Sequence, residues 1–345
     1  MSRRTVTLLI AGIGVVACLA VLFAVPVPYV ALIPGPTYNT LGPLDGKPVV
    51  QISGHHTFKA PGHLNMVTVS YIGGPGASPP FNIIAAIQAW LSPHEAVVPQ
   101  EELFPEGKTQ QQVVKQDTEE MASSQQTAQA AALCMLRIPF TTIDTIASTI
   151  PGTPAVGHLR HGDVITAVDG QKVTCTSTAA SMIRERKAGQ RVMLTVRRDG
   201  ALHTVALRTA SYQGRPIIGV NVVESFKFPF TMKINIGNVG GPSAGMMFAL
   251  AIIDKLTPAN LTGGKFIAGT GEIEVSGKVD PIGGIQQKMA AARAAGATVF
   301  LAPAGNCQDT SGSVPAGLRV VKVGTLRGAI AALKALKAGK PVPGC

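Results

Sequence analysis

Apolar and polar positions divide the chain into an apolar N-terminal run and a longer mixed region. No charged residue occurs in positions 5–25, and a helix of that length, at about 1.5 Å per residue, spans the hydrocarbon core of a membrane. Alternating β-branched residues predict a strand over positions 64–72. Helical periodicity predicts a short helix over positions 81–90 and a long one over positions 109–136. The chain is therefore predicted to be α+β behind an N-terminal transmembrane helix.

The N-terminal run predicts an uncleaved membrane anchor over residues 1–33. Arg3 and Arg4 precede it, and positive residues favour the cytoplasmic side of a membrane, so the rest of the chain is expected outside the cytoplasm. A cleaved signal peptide is the main alternative, but its apolar core is shorter, about 7–15 residues, and ends at a small-x-small site. Positions 15–18 loosely match a lipoprotein site. They lie inside the run, which does not favour lipidation.

Positions 139–210 change to strand and turn sequence. A strand-and-turn run over 154–173 is followed by a helix near 178–187, a strand over 191–197, and the hairpin turn Asp199-Gly200 into a strand over 203–207. The pattern Pro-Ala…Leu…Gly-Asp-Val-Ile…Val-Asp-Gly resembles a PDZ domain of the bacterial protease type. The resemblance implies that an extended peptide, often a C-terminus, adds to a sheet edge. A PDZ-like spacer without a ligand is the alternative.

Composition excludes several classes of function. The formal net charge is +11, but the basic residues are scattered and aromatic residues are few. That distribution does not indicate nucleic-acid binding and suits a surface near anionic lipid headgroups. The sequence contains no P-loop motif, so no ATPase is predicted. His55, His56, His63, His158 and His161 lack the further ligands that a metal site needs, and neither a metal nor a cofactor is predicted.

Four cysteines follow the anchor: Cys134, Cys175, Cys307 and Cys345. An extracytoplasmic location permits disulfides, and four cysteines allow three complete pairings. We expect Cys307–Cys345, because that bond ties down the C-terminal tail. Buried free thiols are the alternative.

The segment Gly241-Pro-Ser243-Ala-Gly245 matches the nucleophile-elbow pattern, in which small neighbours expose a serine on a tight turn. All seven histidines lie upstream of Ser243, whereas the usual hydrolase order needs one downstream. Lysine is the documented substitute for the base. An apolar helix follows the motif and ends near Lys255, so N–H groups around positions 241–243 are expected to stabilise an oxyanion. A serine that only caps the helix is the alternative.

Lys288 is the best candidate for the base. At helical spacing it shares an apolar face with Ile285, Met289 and Ala292, and burial there would keep its amine neutral. Snorkelling of the amine into water is the alternative. Lys255 ranks second, while the remaining downstream lysines have the sequence context of turns or solvated surfaces.

Three segments in order resemble the proteolytic domain of Lon-type serine–lysine peptidases. They are residues 241–245, the run Thr270-Gly-Glu-Ile, and residues 277–288, which end at Lys288. The resemblance implies that Ser243 is the nucleophile, that Lys288 is the general base, and that Thr270 and Gly241 support them. The family usually carries Lys-Asp just before the serine motif. This chain has Val-Gly at 239–240, so that acid is absent or supplied elsewhere.

With the anchor and the PDZ module, the whole chain resembles membrane-anchored, ATP-independent PDZ–Lon peptidases of bacteria. Residues 121–128 resemble the Met-x-x-Ser-x-x-x-Ala helix of the family's N-terminal part. We therefore expect residues 34–138 and 211–345 to form one Lon-type domain, with the PDZ domain of residues 139–210 inserted between them.

The predicted function is that of a membrane-tethered extracytoplasmic serine endopeptidase, which acts on peptides or unfolded proteins selected by the PDZ domain. The resemblance leaves a homo-oligomer open, because Lon-type domains often form rings. A catalytically inert, membrane-anchored PDZ adaptor is the alternative function.

Overall fold

The structure is a computed structural model that describes residues 3–77 and 79–345, with backbone alone at positions 18 and 19. The lipoprotein-like site at Cys18 therefore lies outside the described side chains. The helices are α1 Arg3–Ala24, α2 Ile83–Leu91, α3 Gln100–Leu103, α4 Gln110–Leu136, α5 Ala179–Arg184, α6 Gly245–Leu256, α7 Ile285–Ala294, α8 Cys307–Thr310 and α9 Leu326–Lys337.

The strands run through the whole chain after α1. They are β1 Tyr29–Asn39, β2 Pro43–Leu44, β3 Lys47–Pro48, β4 Val50–Ser53, β5 His63–Gly73, β6 Ala96–Pro99, β7 Thr141–Thr149, β8 Val164–Val168, β9 Gln171–Lys172, β10 Arg191–Arg198, β11 Ala201–Arg208, β12 Ala210–Tyr212, β13 Arg215–Ile217, β14 Val220–Lys227, β15 Thr231–Ile234, β16 Phe266–Gly269, β17 Glu272–Ile273, β18 Val279–Asp280, β19 Val299–Pro303 and β20 Arg319–Val323.

Helix α1 stands apart from the packed core. Its apolar stretch has a mean hydropathy of 2.8 and none of it is buried in the protein. By length and composition it is able to cross a membrane. Arg3 and Arg4 form its first residues.

The predicted elements of residues 64–136 are confirmed, with small differences at their ends. The long helix is α4, whose N-cap Thr109 forms a capping box with Gln112. The short helix α2 begins at Ile83 rather than at position 81, because the Asn82 side chain accepts a hydrogen bond from the Ala85 N–H and so caps the helix there.

The first sheet has the strand order β20-β19-β16-β5-β1-β6. The strands β20, β19, β16 and β5 are parallel, and β1 runs antiparallel to both β5 and β6. Strands from residues 29–99 and from residues 266–323 thus join in one hydrogen-bonded ladder.

Helices cover both faces of this sheet. Alternate strand residues point to opposite faces: Leu301 of β19 packs with α4, α6 and α9, whereas Phe300 packs with α7. Helix α6 is the centre of the larger core. Every residue of α6 is buried except Lys255, which is half-buried. Helices α6 and α7 therefore reach the sheet from opposite sides.

The second sheet has the order β11-β10-β8-β7-β14, with β9 on β8. Its core joins α5 to apolar residues such as Ile146, Leu194 and Val196. The predicted hairpin is confirmed, because Asp199 and Gly200 both take positive φ between β10 and β11. The sheet also includes β14, which pairs with β7 over its whole length and lies beyond position 210. Apolar and polar residues alternate only weakly along β14, because it is an edge strand and few of its side chains are buried.

Two disulfides form among the four cysteines that follow α1. Cys307–Cys345 is confirmed, with 5.0 Å between the Cα atoms. Cys134 of α4 is bonded to Cys175 of the second sheet's module, with 5.9 Å between the Cα atoms. This second bond fastens that module to α4.

Candidate active site

Ser243 lies on a tight turn directly before α6. Gly241 takes a φ of +81°, which favours glycine. A Cβ on Gly245 would come within 2.8 Å of Ile273 Cγ2 and 3.0 Å of Ser124 Oγ. The two glycines of the motif therefore have different roles, because one shapes the turn and the other allows α6 to begin close to α4 and β17.

Helix α4 holds this turn from one side. The Ser124 hydroxyl donates to the Pro242 carbonyl at 2.8 Å, and the Gly241 N–H donates to the Asp117 carbonyl at 2.9 Å. A Cβ on Gly240 would approach Asp117 Cβ to 2.7 Å. Asp117 of α4 thus lies against Gly240, the position at which Lon-type sequences usually carry an acidic residue. Sequence patterns did not identify Asp117, because nothing in its local context distinguishes it from other polar residues of α4.

The segment after β16 holds the turn from the other side. The Ser243 carbonyl accepts a hydrogen bond from the Thr270 hydroxyl at 2.9 Å and another from the Gly271 N–H at 2.7 Å. Thr270 is 1% exposed. Thr270 directly follows β16, so these hydrogen bonds hold the turn at the carboxyl end of the parallel strands.

Lys288 reaches this point from α7. Its Nζ lies 2.9 Å from Ser243 Oγ and 3.3 Å from Thr270 Oγ1. The residue is 3% exposed, and burial lowers the pKa of Lys288 from 10.5 to about 8. The expected apolar face is confirmed, since Ile285, Met289 and Ala292 are buried as well. Gln287 is buried too.

The hydrogen-bond directions orient a neutral amine. The Thr270 hydroxyl donates its proton to the Ser243 carbonyl, so towards Lys288 it can only accept. A neutral Lys288 that donates to Thr270 keeps its lone pair available for the Ser243 hydroxyl. The three side chains can therefore transfer the serine proton to the lysine.

Two backbone donors remain available beside Ser243. Among the described residues, the N–H groups of Ser243 and Ala244 donate no intramolecular hydrogen bond. Gly241, expected to help hold an oxyanion, already donates its N–H to Asp117. Of the N–H groups expected around positions 241–243, that of Gly241 is therefore occupied, and those of Ser243 and Ala244 are the ones able to bind an oxygen atom.

The second candidate base lies elsewhere. Lys255 is in the last turn of α6, at the opposite end of that helix from Ser243. Burial lowers the pKa of Lys255 as well, opposed by the charge of Asp254. Among the described residues no group of three His, Cys, Asp or Glu side chains has the arrangement of a metal site.

Comparison with known families matches two segments of the chain. The model of the Lon protease (S16) C-terminal proteolytic domain matches residues 235–331, which include Ser243, Thr270 and Lys288. A PDZ domain model matches residues 134–209.

Relatives named Lon protease match part of the chain. The Lon protease of Roseiflexus castenholzii is 46% identical over 69 residues, which are 20% of this chain and 8% of that protein. The Lon protease of Trichlorobacter lovleyi is 37% identical over 103 residues, 30% of this chain and 12% of that protein. The chain therefore spans only about a tenth of the length of these relatives.

Solved structures of PDZ domains are also similar to part of the chain. The PDZ domain of an SdrC-like protein from Listeria innocua is 27% identical and covers 23% of this chain and 92% of that domain, with a TM-score of 0.22. On the two family models and the Lon relatives, the chain contains a Lon-type (S16) proteolytic domain and a PDZ domain.

Proposed function

We propose that the chain is a serine endopeptidase in which Lys288 is the general base for Ser243. The observation that carries the proposal is the 2.9 Å contact between Lys288 Nζ and Ser243 Oγ, made by a lysine that is 3% exposed. Its described hydrogen-bond partners are two hydroxyls and no carboxylate. Such a lysine is poised to lose its proton near neutral pH.

The mechanism follows from the contacts. Neutral Lys288 accepts the proton of Ser243 while Oγ attacks a peptide carbonyl carbon. The N–H groups of Ser243 and Ala244 stabilise the oxyanion, and the Lys288 ammonium then gives its proton to the leaving amine. Water, deprotonated by the same amine, hydrolyses the acyl-enzyme and restores Ser243. The chemistry of these residues needs no nucleotide.

The remaining modules suggest how substrate meets this site. We propose that α1 tethers the chain to a membrane with its arginines on the cytoplasmic side, and that the domains work outside the cytoplasm. We also propose that the second module is inserted between two halves of the Lon-type domain, and that the free edge of β14 adds a peptide strand. The strand order of both sheets supports this architecture.

The test compares peptide hydrolysis by the wild type, Ser243→Ala and the control Ser211→Ala, an exposed serine of β12. Hydrolysis of an unfolded protein substrate without nucleotide should disappear in Ser243→Ala and stay unchanged in Ser211→Ala. Mass spectrometry after treatment with a serine-directed phosphonate suited to serine–lysine sites should place the adduct on Ser243. Peptide binding without hydrolysis or labelling would instead favour the adaptor function.

A further inference from the structure

A cavity of about 370 Å³ opens beside the turn that carries Ser243, where Pro242 lines it. Its walls come from α4, β17 and Pro242, the residue immediately before the serine. Glu120 of α4 and Glu272 of β17 both line it. The volume falls within the range of ligand sites, about 300–1,000 Å³. A side chain of a substrate whose carbonyl reaches Ser243 would enter this space.

A second cavity of about 340 Å³ continues the first along α4. Ser123 and Thr127 line both cavities, and the second lies between α4 and β14. Glu224 of β14 lines it. The two cavities together, which we name the α4 trough, thus lead from the edge strand of the PDZ sheet to Pro242, the residue before Ser243.

The carboxylates of the α4 trough are not neutralised by ion pairs. Among the described residues, no lysine or arginine forms a salt bridge with Glu120, Glu224 or Glu272. The neighbouring cation Lys278 is paired with Glu274 and Asp280.

The pKa values of Glu272 and Glu224 also indicate that nearby positive charge does not compensate the negative charge of these carboxylates. Glu272 and Glu224 are both exposed to solvent. Partial desolvation raises the pKa of Glu272, and the charges of Asp280, Glu120 and Glu274 raise it further, against a smaller opposing effect of Lys278. Partial desolvation and the charges of Asp144 and Glu274 raise the pKa of Glu224. Negative charge is therefore concentrated in one cleft of a chain whose formal net charge is +11. A cation placed there would relieve the mutual repulsion of the carboxylates.

We propose that the α4 trough selects peptides with an arginine or lysine beside the cleaved bond, with Glu120 and Glu272 as specificity-determining residues. The inference deepens the proposed peptidase function and rests on it. A peptide side chain suits the site better than a metal ion, because no group of three ligating side chains in the described chain has metal-site geometry, and because the cavity opens beside the turn that carries the nucleophile.

The first experiment measures binding without turnover. Full-length Ser243→Ala protein in detergent is titrated into two fluorescent peptides that differ only in arginine or citrulline, which have the same shape but different charge. Both peptides are amidated, so that neither offers a C-terminal carboxylate to the PDZ domain. We expect the arginine peptide to bind about ten-fold more tightly, as is usual for one hydrogen bond to a charged group. The preference should shrink at high salt.

Matched variants assign the preference to the trough. Glu120→Gln with Glu272→Gln, added to Ser243→Ala, should reduce the ratio of the two affinities to about one, since the carboxylate charges that discriminate are gone. Glu119→Gln is the control, because this exposed neighbour pairs with Lys115 on another face of α4 and should leave the ratio unchanged. Equal affinities in the parent protein, or a preference that survives the double variant, would overturn the proposal.

The second experiment separates this inference from the proposed activity. Wild-type protein is given the same two peptides and cleavage is followed by mass spectrometry. Glutamate-dependent binding of arginine without cleavage would support the trough and reject the peptidase function. Ser243-dependent cleavage of both peptides at the same rate would support the peptidase and reject the trough.

Discussion

The two domains each bury a charged side chain, and they treat it in opposite ways. In the PDZ domain, the Asp163 side chain is 1% exposed and accepts two hydrogen bonds of 2.7 Å from Arg198. The Arg198 hydrogen bonds lower the pKa of Asp163 below its usual value. In the Lon-type domain, Lys288 is buried beside two hydroxyls, and burial lowers its pKa to about 8.

The same direction of shift has opposite consequences. A lowered pKa fixes the aspartate as an ion, whereas it brings the lysine close to losing its charge. Removing one member of a buried, geometrically matched ion pair destabilises a fold, whereas a buried ion without a partner is available for chemistry. The presence of a partner, more than burial itself, therefore separates a structural charge from a reactive one.

The largest expected effect is at Lys288. Lys288→Met should lower peptide hydrolysis by about 10³-fold or more, because Ser243 loses its base. It should also raise the free energy of unfolding at pH 7 by about 3 kcal/mol, because a buried amine with a lowered pKa is costly while protonated. Steady-state hydrolysis and urea denaturation measure the two effects.

The pH dependence of stability gives a check on this prediction. Below pH 8 the lysine is protonated in both the folded and unfolded states, so its cost is full. The cost falls as pH rises from about 8 towards 10.5, because the folded state releases the proton first. The stability gap between wild type and Lys288→Met should narrow over that range. A constant gap would contradict the assignment of a neutral buried amine.

Asp163 should behave in the opposite sense. Asp163→Asn removes the charge that Arg198 binds, so we expect a loss of about 2 kcal/mol in stability, the scale of a hydrogen bond to a charged group. Denaturation followed by a probe in the PDZ domain measures this loss of stability. In the wild type this contribution is present above the ordinary aspartate pKa and is lost as pH falls through the lowered value. An Asn variant as stable as the wild type would remove the contrast between the two charges.

The rate should follow the protonation of Lys288. At pH values below about 8, kcat/KM should rise about ten-fold per pH unit and then level off, as expected for one essential base. A pH series with a single unfolded peptide measures the midpoint. A midpoint of the pH–rate profile near the ordinary pKa of histidine would indicate that another residue is the base. Every histidine of the chain lies upstream of Ser243.

Thr270 should have the smallest of these effects. Thr270→Val removes the acceptor for the lysine, so the amine is less well oriented and we expect about a ten-fold loss in kcat, within the range of one positioned proton-transfer group. The pH midpoint should also fall, because the protonated lysine loses a hydrogen bond that favours it. Thr270→Ser keeps the hydroxyl and should restore both values. A loss of stability without a shift of the midpoint would indicate a structural role only.

Local sequence patterns predict the two residues of the proposed catalytic pair better than they predict the residues around that pair. The serine motif, the missing downstream histidine and the apolar face around Lys288 are all local, and together they are sufficient to select both residues. The cleft was not predictable in this way. Glu120 and Glu272 are 152 positions apart. Glu272 belongs to the Thr270-Gly-Glu-Ile run, but nothing in either local sequence links it to Glu120, so their shared cavity depends on how α4 packs against β17.

Local sequence patterns were sufficient for the apolar helix, most element types and the two residues of the proposed catalytic pair, because helical and strand periodicity and short motifs are encoded by neighbouring residues. Tertiary structure decided the rest. Helices α6 and α7 lie on opposite faces of one sheet, and only its carboxyl edge brings Lys288 Nζ within 2.9 Å of Ser243 Oγ. The same packing removes Lys288 from water, and that desolvation, which no local pattern specifies, lowers its pKa.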